Sequence, residues 1–320
     1  MLAIVLVLLA AVANAGGMVL LRKATEAEDD RSAFSLRVLW TLVSRRPVWA
    51  SGIATIVAGF VLQVAALAHG PLSVVQLVIL MELPFTLILA WRVLGGRLQA
   101  REWSAITAMT GGLIVLLLTL SPTGGDPNSA NLVTWLLGLA VTAAAVGVLL
   151  GVGRRSSPAL RTALFGVAAG ATSGLIAVLA KDVAAAFGRG VLHVLGSWQS
   201  WALIAVAVAG FLLIQNAIQA GRLAASQPGI SLANPVIALV WGVGLFHEDI
   251  HTGWWLIGAG LGATAVTAGA VLLSGSPLLG DDQQATERDP ADFDAANSDA
   301  GESDSDQSDP GEPADDTHAA

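Results

Sequence analysis

The sequence predicts an all-α polytopic membrane protein, with nine transmembrane helices built as two inverted four-helix repeats plus a linker helix. Three observations predict it. The 320 residues are 54% hydrophobic and only 12% charged, about half the roughly 25% of a soluble globular chain. Lys and Arg fall on alternate loops between apolar stretches. The chain also aligns with itself at one long offset. Composition excludes other classes. With no Cys there is no disulfide, thiolate metal site or Cys nucleophile. The formal charge of −8 is unevenly placed: residues 281–320 hold 14 acids and one base, Arg288, whereas residues 1–280 hold 15 bases and 10 acids. The acidic balance argues against a nucleic-acid partner.

Crossing a bilayer takes about 20 apolar residues per helix. Such stretches cover residues 2–21, 49–69, 71–92, 103–121, 132–152, 160–181, 199–220, 225–246 and 254–274. Breaks fall on turn formers: His69-Gly70-Pro71, then Ser121 to Pro127, then Ser156-Ser157-Pro158. Ala13-Asn14-Ala15 resembles a signal-peptidase site. However, no base precedes it, and apolar sequence continues to Leu21 before Arg22 and Lys23. That charge order predicts a retained first helix.

Orientation follows from loop bases. Loop 1–2 carries Arg22, Lys23, Arg31, Arg37, Arg45 and Arg46. Loop 3–4 carries Arg92, Arg97 and Arg101, and loop 5–6 carries Arg154, Arg155 and Arg161. With Arg222 and Arg288 these make 14 on one side, against Lys181 and Arg189 on the other. The split predicts a multi-pass plasma or inner-membrane protein with its N-terminus outside and its C-terminus cytoplasmic. Loop 1–2 also predicts a short interfacial helix near Phe34–Trp40, suited to anionic lipid.

Shifting the chain by 151 residues aligns 57–112 with 208–263, with 16 identities in 56 positions, including Phe60 with Phe211, Gln76 with Gln227, Pro84 with Pro235 and Trp103 with Trp254. At an offset of 158, Gly16 aligns with Gly174 and Lys23 with Lys181. Residues 1–121 are thus one four-helix repeat, 122–157 the linker helix, 158–277 the second repeat, and 278–320 an acidic, disordered cytoplasmic tail. Five spans separate each helix from its copy, and an odd number reverses its direction. Inverted repeats underlie alternating access in secondary transporters.

The run Glu82-Leu83-Pro84, then Arg101-Glu102-Trp103 and the Gly111-Gly112 helix, resembles the EamA-type repeat of the drug/metabolite transporter superfamily. Asn234-Pro235 through Phe246-His247-Glu248 to Gly258–Gly262 resembles it too. The resemblance implies a non-enzymatic, cofactor-free transporter. Its nine-helix count is closest to the NIPA-like magnesium transporters of that superfamily, so the implied substrate is a small metabolite or drug-like solute, with Mg²⁺ or another divalent cation as the alternative. The other expected partner is the lipid bilayer, with a homodimer as an allowed assembly.

Glu82 is the acid well inside a predicted span, about 16 Å past Pro71 at 1.5 Å per residue. A bare carboxylate there must be paired, protonated or facing water. It reads as the leading coupling residue, or as a protonated side chain bonded to a neighbouring helix. Pro84 and Pro235 sit near mid-span, where a missing N–H frees a carbonyl. Asn234 adds a polar group beside Pro235. Broken helices at that depth point to a transport site, and packing kinks are the alternative. Gln63 with Gln76, and Gln215 and Asn216 with Gln227, form two polar clusters that would line outer and inner access routes or simply bond between helices. Asn14 is a further candidate, in helix 1. The stripes Gly166-Gly170-Gly174 and Gly258-Gly262 read as close helix packing.

His247-Glu248-Asp249-Ile250-His251 matches H-E-x-x-H. On a helix this would offer two Zn²⁺ ligands and a general base, so a membrane metalloprotease is the alternative from another class. Gly253 follows at once, so the segment reads as a short external turn. Its His247, Glu248 and His251 are either solvated or a weak external cation site.

Overall fold

The computed structural model describes residues 1–26, 47–95, 98–125, 131–219 and 223–274, with backbone alone for 25–26, 47, 94–95, 214–219, 223–228 and 274. The interfacial helix expected near 34–40 and the acidic tail lie outside the described residues.

The described chain is α-helical, save for one two-residue strand pair. In order, the elements are α1 (Leu2–Glu26), α2 (Pro47–His69), α3 (Leu72–Val78), α4 (Glu82–Ala90), α5 (Ala100–Leu120), β1 (Thr123–Gly124), α6 (Leu132–Arg154), α7 (Pro158–Phe187), α8 (Val191–Gly196), α9 (Trp198–Gln219), α10 (Leu223–Gly244), β2 (Glu248–Asp249) and α11 (Trp255–Ser274). A 3₁₀ turn, Ile79–Met81, joins α3 to α4, and a π turn, Trp91–Gly95, ends α4. Among the described residues seven helical stretches are long and apolar enough to cross a membrane: 2–24, 48–69, 72–93, 100–120, 132–154, 158–187 and 255–273. α9 and α10 contribute shorter apolar stretches, 198–213 and 229–244. The architecture is that of an all-α polytopic membrane protein.

Local chemistry sets the helix ends. Pro158 opens α7, where its missing N–H costs nothing. The Asn131 side chain accepts from the Thr134 N–H at 2.8 Å and starts α6. Glu102 accepts from the Gln99 N–H at 2.6 Å at the start of α5. Ser121, at φ 38°, ends α5 in the left-handed region. Pro84 has no N–H to offer the carbonyl four residues back, and the 3₁₀ turn falls there. Pro235 differs from expectation, because α10 runs unbroken through it.

Close packing uses the small residues. A Cβ on Gly112 would lie 2.7 Å from the Gly262 carbonyl, and one on Gly262 would lie 2.8 Å from the Gly112 carbonyl. Gly258 meets Thr119, and Gly269 meets Met109 and Ala105, so α5 and α11 run antiparallel. Gly170 meets Ile230 and Ala233, while Gly174 meets Asn234 and Ile237, so α7 and α10 run parallel. α1 lies antiparallel to α2, with Gly70 against Ala3 and Gly17 against Gly52. Gly170 with Gly174, and Gly258 with Gly262, therefore serve packing, since in lipid the gain comes from close van der Waals contact.

α1 packs on α2 and on the α3–α4 stretch. α7 packs on α9 and α10, α5 packs on α11, and α3 packs on α10. The α3–α4 and α7 stretches are the most enclosed, at 61% and 67% buried, while α6 is 11% buried. α6 shows Val133, Leu137, Val141 and Val148 outward. A helix apolar all round with one buried edge sits at the rim of the bundle, facing lipid.

Candidate functional site

Two candidates from different helices meet inside the bundle. Asn14 of α1 donates its Nδ2 N–H to Glu82 Oε2 of α4 at 3.2 Å. Gly59 of α2 makes room for this, because a Cβ there would lie 2.0 Å from Asn14 Oδ1. Ala3 and Gly70 mark one end of this three-helix unit. Asn14 and Glu82 lie eleven and twelve residues further along, about 16–18 Å deep at 1.5 Å per residue. Glu82 is half-buried, and so are Met81, Leu83, Phe85 and Thr86 beside it. A carboxylate partly open and held by one neutral donor can exchange that partner for a solute or a proton. Pro84 is buried next to it, behind the 3₁₀ turn.

Other candidates are placed differently. Gln76 is fully buried, and its side-chain N and O have no hydrogen-bond partner among the described residues. It therefore does not line an open route with half-buried Gln63 in this conformation. Asn234 Oδ1 is also buried without a partner among them. The side chains of Gln215, Asn216 and Gln227 lie outside the described residues.

The segment His247–His251 is not the helix that the metalloprotease alternative requires: Glu248–Asp249 pairs antiparallel with Thr123–Gly124, with Gly124 opposite Glu248. The His251 N–H donates to the Leu120 carbonyl, and its ring lies 5.5 Å from Trp255. No group of three His, Cys, Asp or Glu that could hold a metal exists among the described residues. The strand pairing removes the helical i, i+4 geometry that two Zn²⁺ ligands need. Glu248 is not solvated either, being 2% exposed.

Glu248 instead makes a buried network the sequence did not reveal. Its Oε1 accepts from Lys181 Nζ of α7 at 2.9 Å. The same oxygen accepts the Leu72 N–H. Its Oε2 accepts from the Ser73 N–H at 3.1 Å and from Ser73 Oγ–H at 2.6 Å. The carboxylate thus caps the start of α3, where N–H groups are unpaired. Lys181 also donates to the Gly70 carbonyl at 3.3 Å and lies 4.9 Å from the Phe246 ring centroid. Phe246 packs edge-on to Trp135, which also touches Trp198 and Trp241. Lys181 reads in sequence as a loop base; α7 continues to Phe187 and buries it to 2% exposure. The Lys23–Lys181 match between the repeats was the signal that could have singled it out.

No family model matches the chain. An uncharacterised protein of Corynebacterium glutamicum is 28% identical over 277 residues, which is 86% of this chain and 95% of that protein. No solved structure matches.

Proposed function

We propose that the protein is a secondary transporter that moves a small metabolite or drug-like solute by alternating access. In this reading nine spans form two inverted four-helix repeats, α1–α5 and α7–α11 without α8, with α6 as linker. The chain would belong to the drug/metabolite transporter superfamily, with EamA-like repeats. The N-terminus would face outside and the C-terminus the cytoplasm. The observation that carries the reading is the pattern of helix contacts. α1 packs on its next two spans as α7 packs on its next two, and the halves meet through α5 on α11 and α3 on α10. Spans that correspond in the sequence repeat thus touch one another, which supports a division into two related halves. Two such halves can rock about a shared centre and open to either side in turn. In this reading the broken α3–α4 span and the Asn14–Glu82 pair would line the path that opens between them.

A divalent cation such as Mg²⁺ is the second reading. It is favoured by the charge of the central group, which is a carboxylate. A flux screen in proteoliposomes over metabolites and cations, Mg²⁺ included, tests both. Saturable uptake above empty liposomes is expected for one class. No flux for any solute would favour a non-transporting membrane scaffold.

A further inference from the structure

We propose that Lys181, Glu248 and the start of α3 form a gate, closed in this structure, that must part before the Glu248 end of the central cavity opens. The inference rests on the alternating-access reading and adds the device that would hold one state. The contact joins the two proposed halves: Leu72 and Ser73 come from the first, Lys181 and Glu248 from the second. All four side chains are buried, among Val75, Val178, Leu245 and Phe246.

An apolar seal would pack this site at least as well, since a buried ion pair barely repays its desolvation. It would also be costly to expose again. A charged pair regains hydration as it parts, so it closes tightly and reopens cheaply. The walls suit such motion. A Cβ on Gly242 would lie 2.5 Å from Glu248 Oε2, and one on Gly125 would lie 2.9 Å from Glu248 Cγ. The carboxylate therefore sits in a notch with glycine on two of its walls. It is carried by a two-residue strand rather than a helix. A cavity of about 270 Å³, lined by His69, Gly70, Pro71, Gly124 and Gly125, reaches Lys181 from beyond the gate.

On the inner side, Gln76 lies one helical turn below Ser73, fully buried, with its amide unpartnered among the described residues. Leu72, Ser73, Val75 and Gln76 are sealed, while Glu82 and its neighbours are half-buried. The closed end is therefore the Glu248 end, and Gln76 is the first polar group that water would meet when the gate parts.

The chain has no cysteine, so single-cysteine labelling needs no background changes. Gln76→Cys reports the gated path, and Thr86→Cys, one turn past Glu82, reports the opposite path. A charged, membrane-impermeant maleimide is applied to intact cells and to inverted vesicles carrying the full chain. With the native gate, Gln76→Cys should label slowly. Lys181→Met or Glu248→Gln should speed it about tenfold or more and slow Thr86→Cys from the other side. Lys181→Arg, which keeps the pair, should hold the slow rate. Unchanged Gln76→Cys rates would make the network a static strut and overturn the gate. Faster labelling of both reporters would mean general loosening and overturn it equally. A solute screen that moves nothing would defeat the transport reading and leave the labelling result standing.

Discussion

At the residue scale, the carboxylates of Glu82 and Glu248 have opposite characters. Glu82 is half-open with one neutral donor; Glu248 is sealed with a cation and three donors from α3. The first can exchange its one partner where it stands, whereas the second gives up its partners only when the whole network parts into water. Glu82→Gln should abolish coupled flux while leaving the fold intact, checked by flux together with monodispersity in detergent. Asn14→Ala should shift the solute dependence and keep some flux, because it removes only a positioning donor. Lys181→Met leaves Glu248 buried without its cation, a loss of about 3–5 kcal/mol. Its apparent Tm in detergent should fall clearly. Lys181→Met combined with Glu248→Gln should fall by less than the sum of the two single variants. Glu82 was legible because a charge at mid-span stands out against an apolar run. Glu248 and Lys181 were not, because each lies at a span end, where charge is cheap. Their 67-residue separation carries no pattern.

At the element scale, the apolar runs and turn formers foretold the helices. Pro84 foretold the break in the α3–α4 span, because a proline must cost a bond there. Pro235 carries the same signal and breaks nothing: α10 stays helical against α7, with the Asn234 carbonyl beside Gly174. The β1–β2 pairing was illegible, since two residues in each of two loops have no periodicity to read. Pro84→Ala should restore the missing bond and stiffen the span, lowering flux without lowering the apparent Tm. Gly112→Leu should force α5 off α11. The clash with the Gly262 carbonyl implies a cost of about 1–3 kcal/mol, read as a lower apparent Tm.

At the scale of the whole molecule, the proposed topology sorts the bases 14 to 2 between the two sides. Contacts place the α2–α3 turn, the ends of α5, α7 and α10, and Ala3 of α1 together at one end. The proposed alternation of nine spans puts the same ends on one side. A C-terminal reporter active only outside the membrane should therefore stay silent, and activity would invert the orientation. The substrate was never legible, because architecture repeats between transporters while specificity rests on a few cavity groups. Solute flux in proteoliposomes, native protein against Glu82→Gln, tests alternating-access transport most directly. Saturable flux of at least one metabolite or cation is expected of the native protein and its loss of the variant. Equal flux in both, or none above empty liposomes, would contradict it.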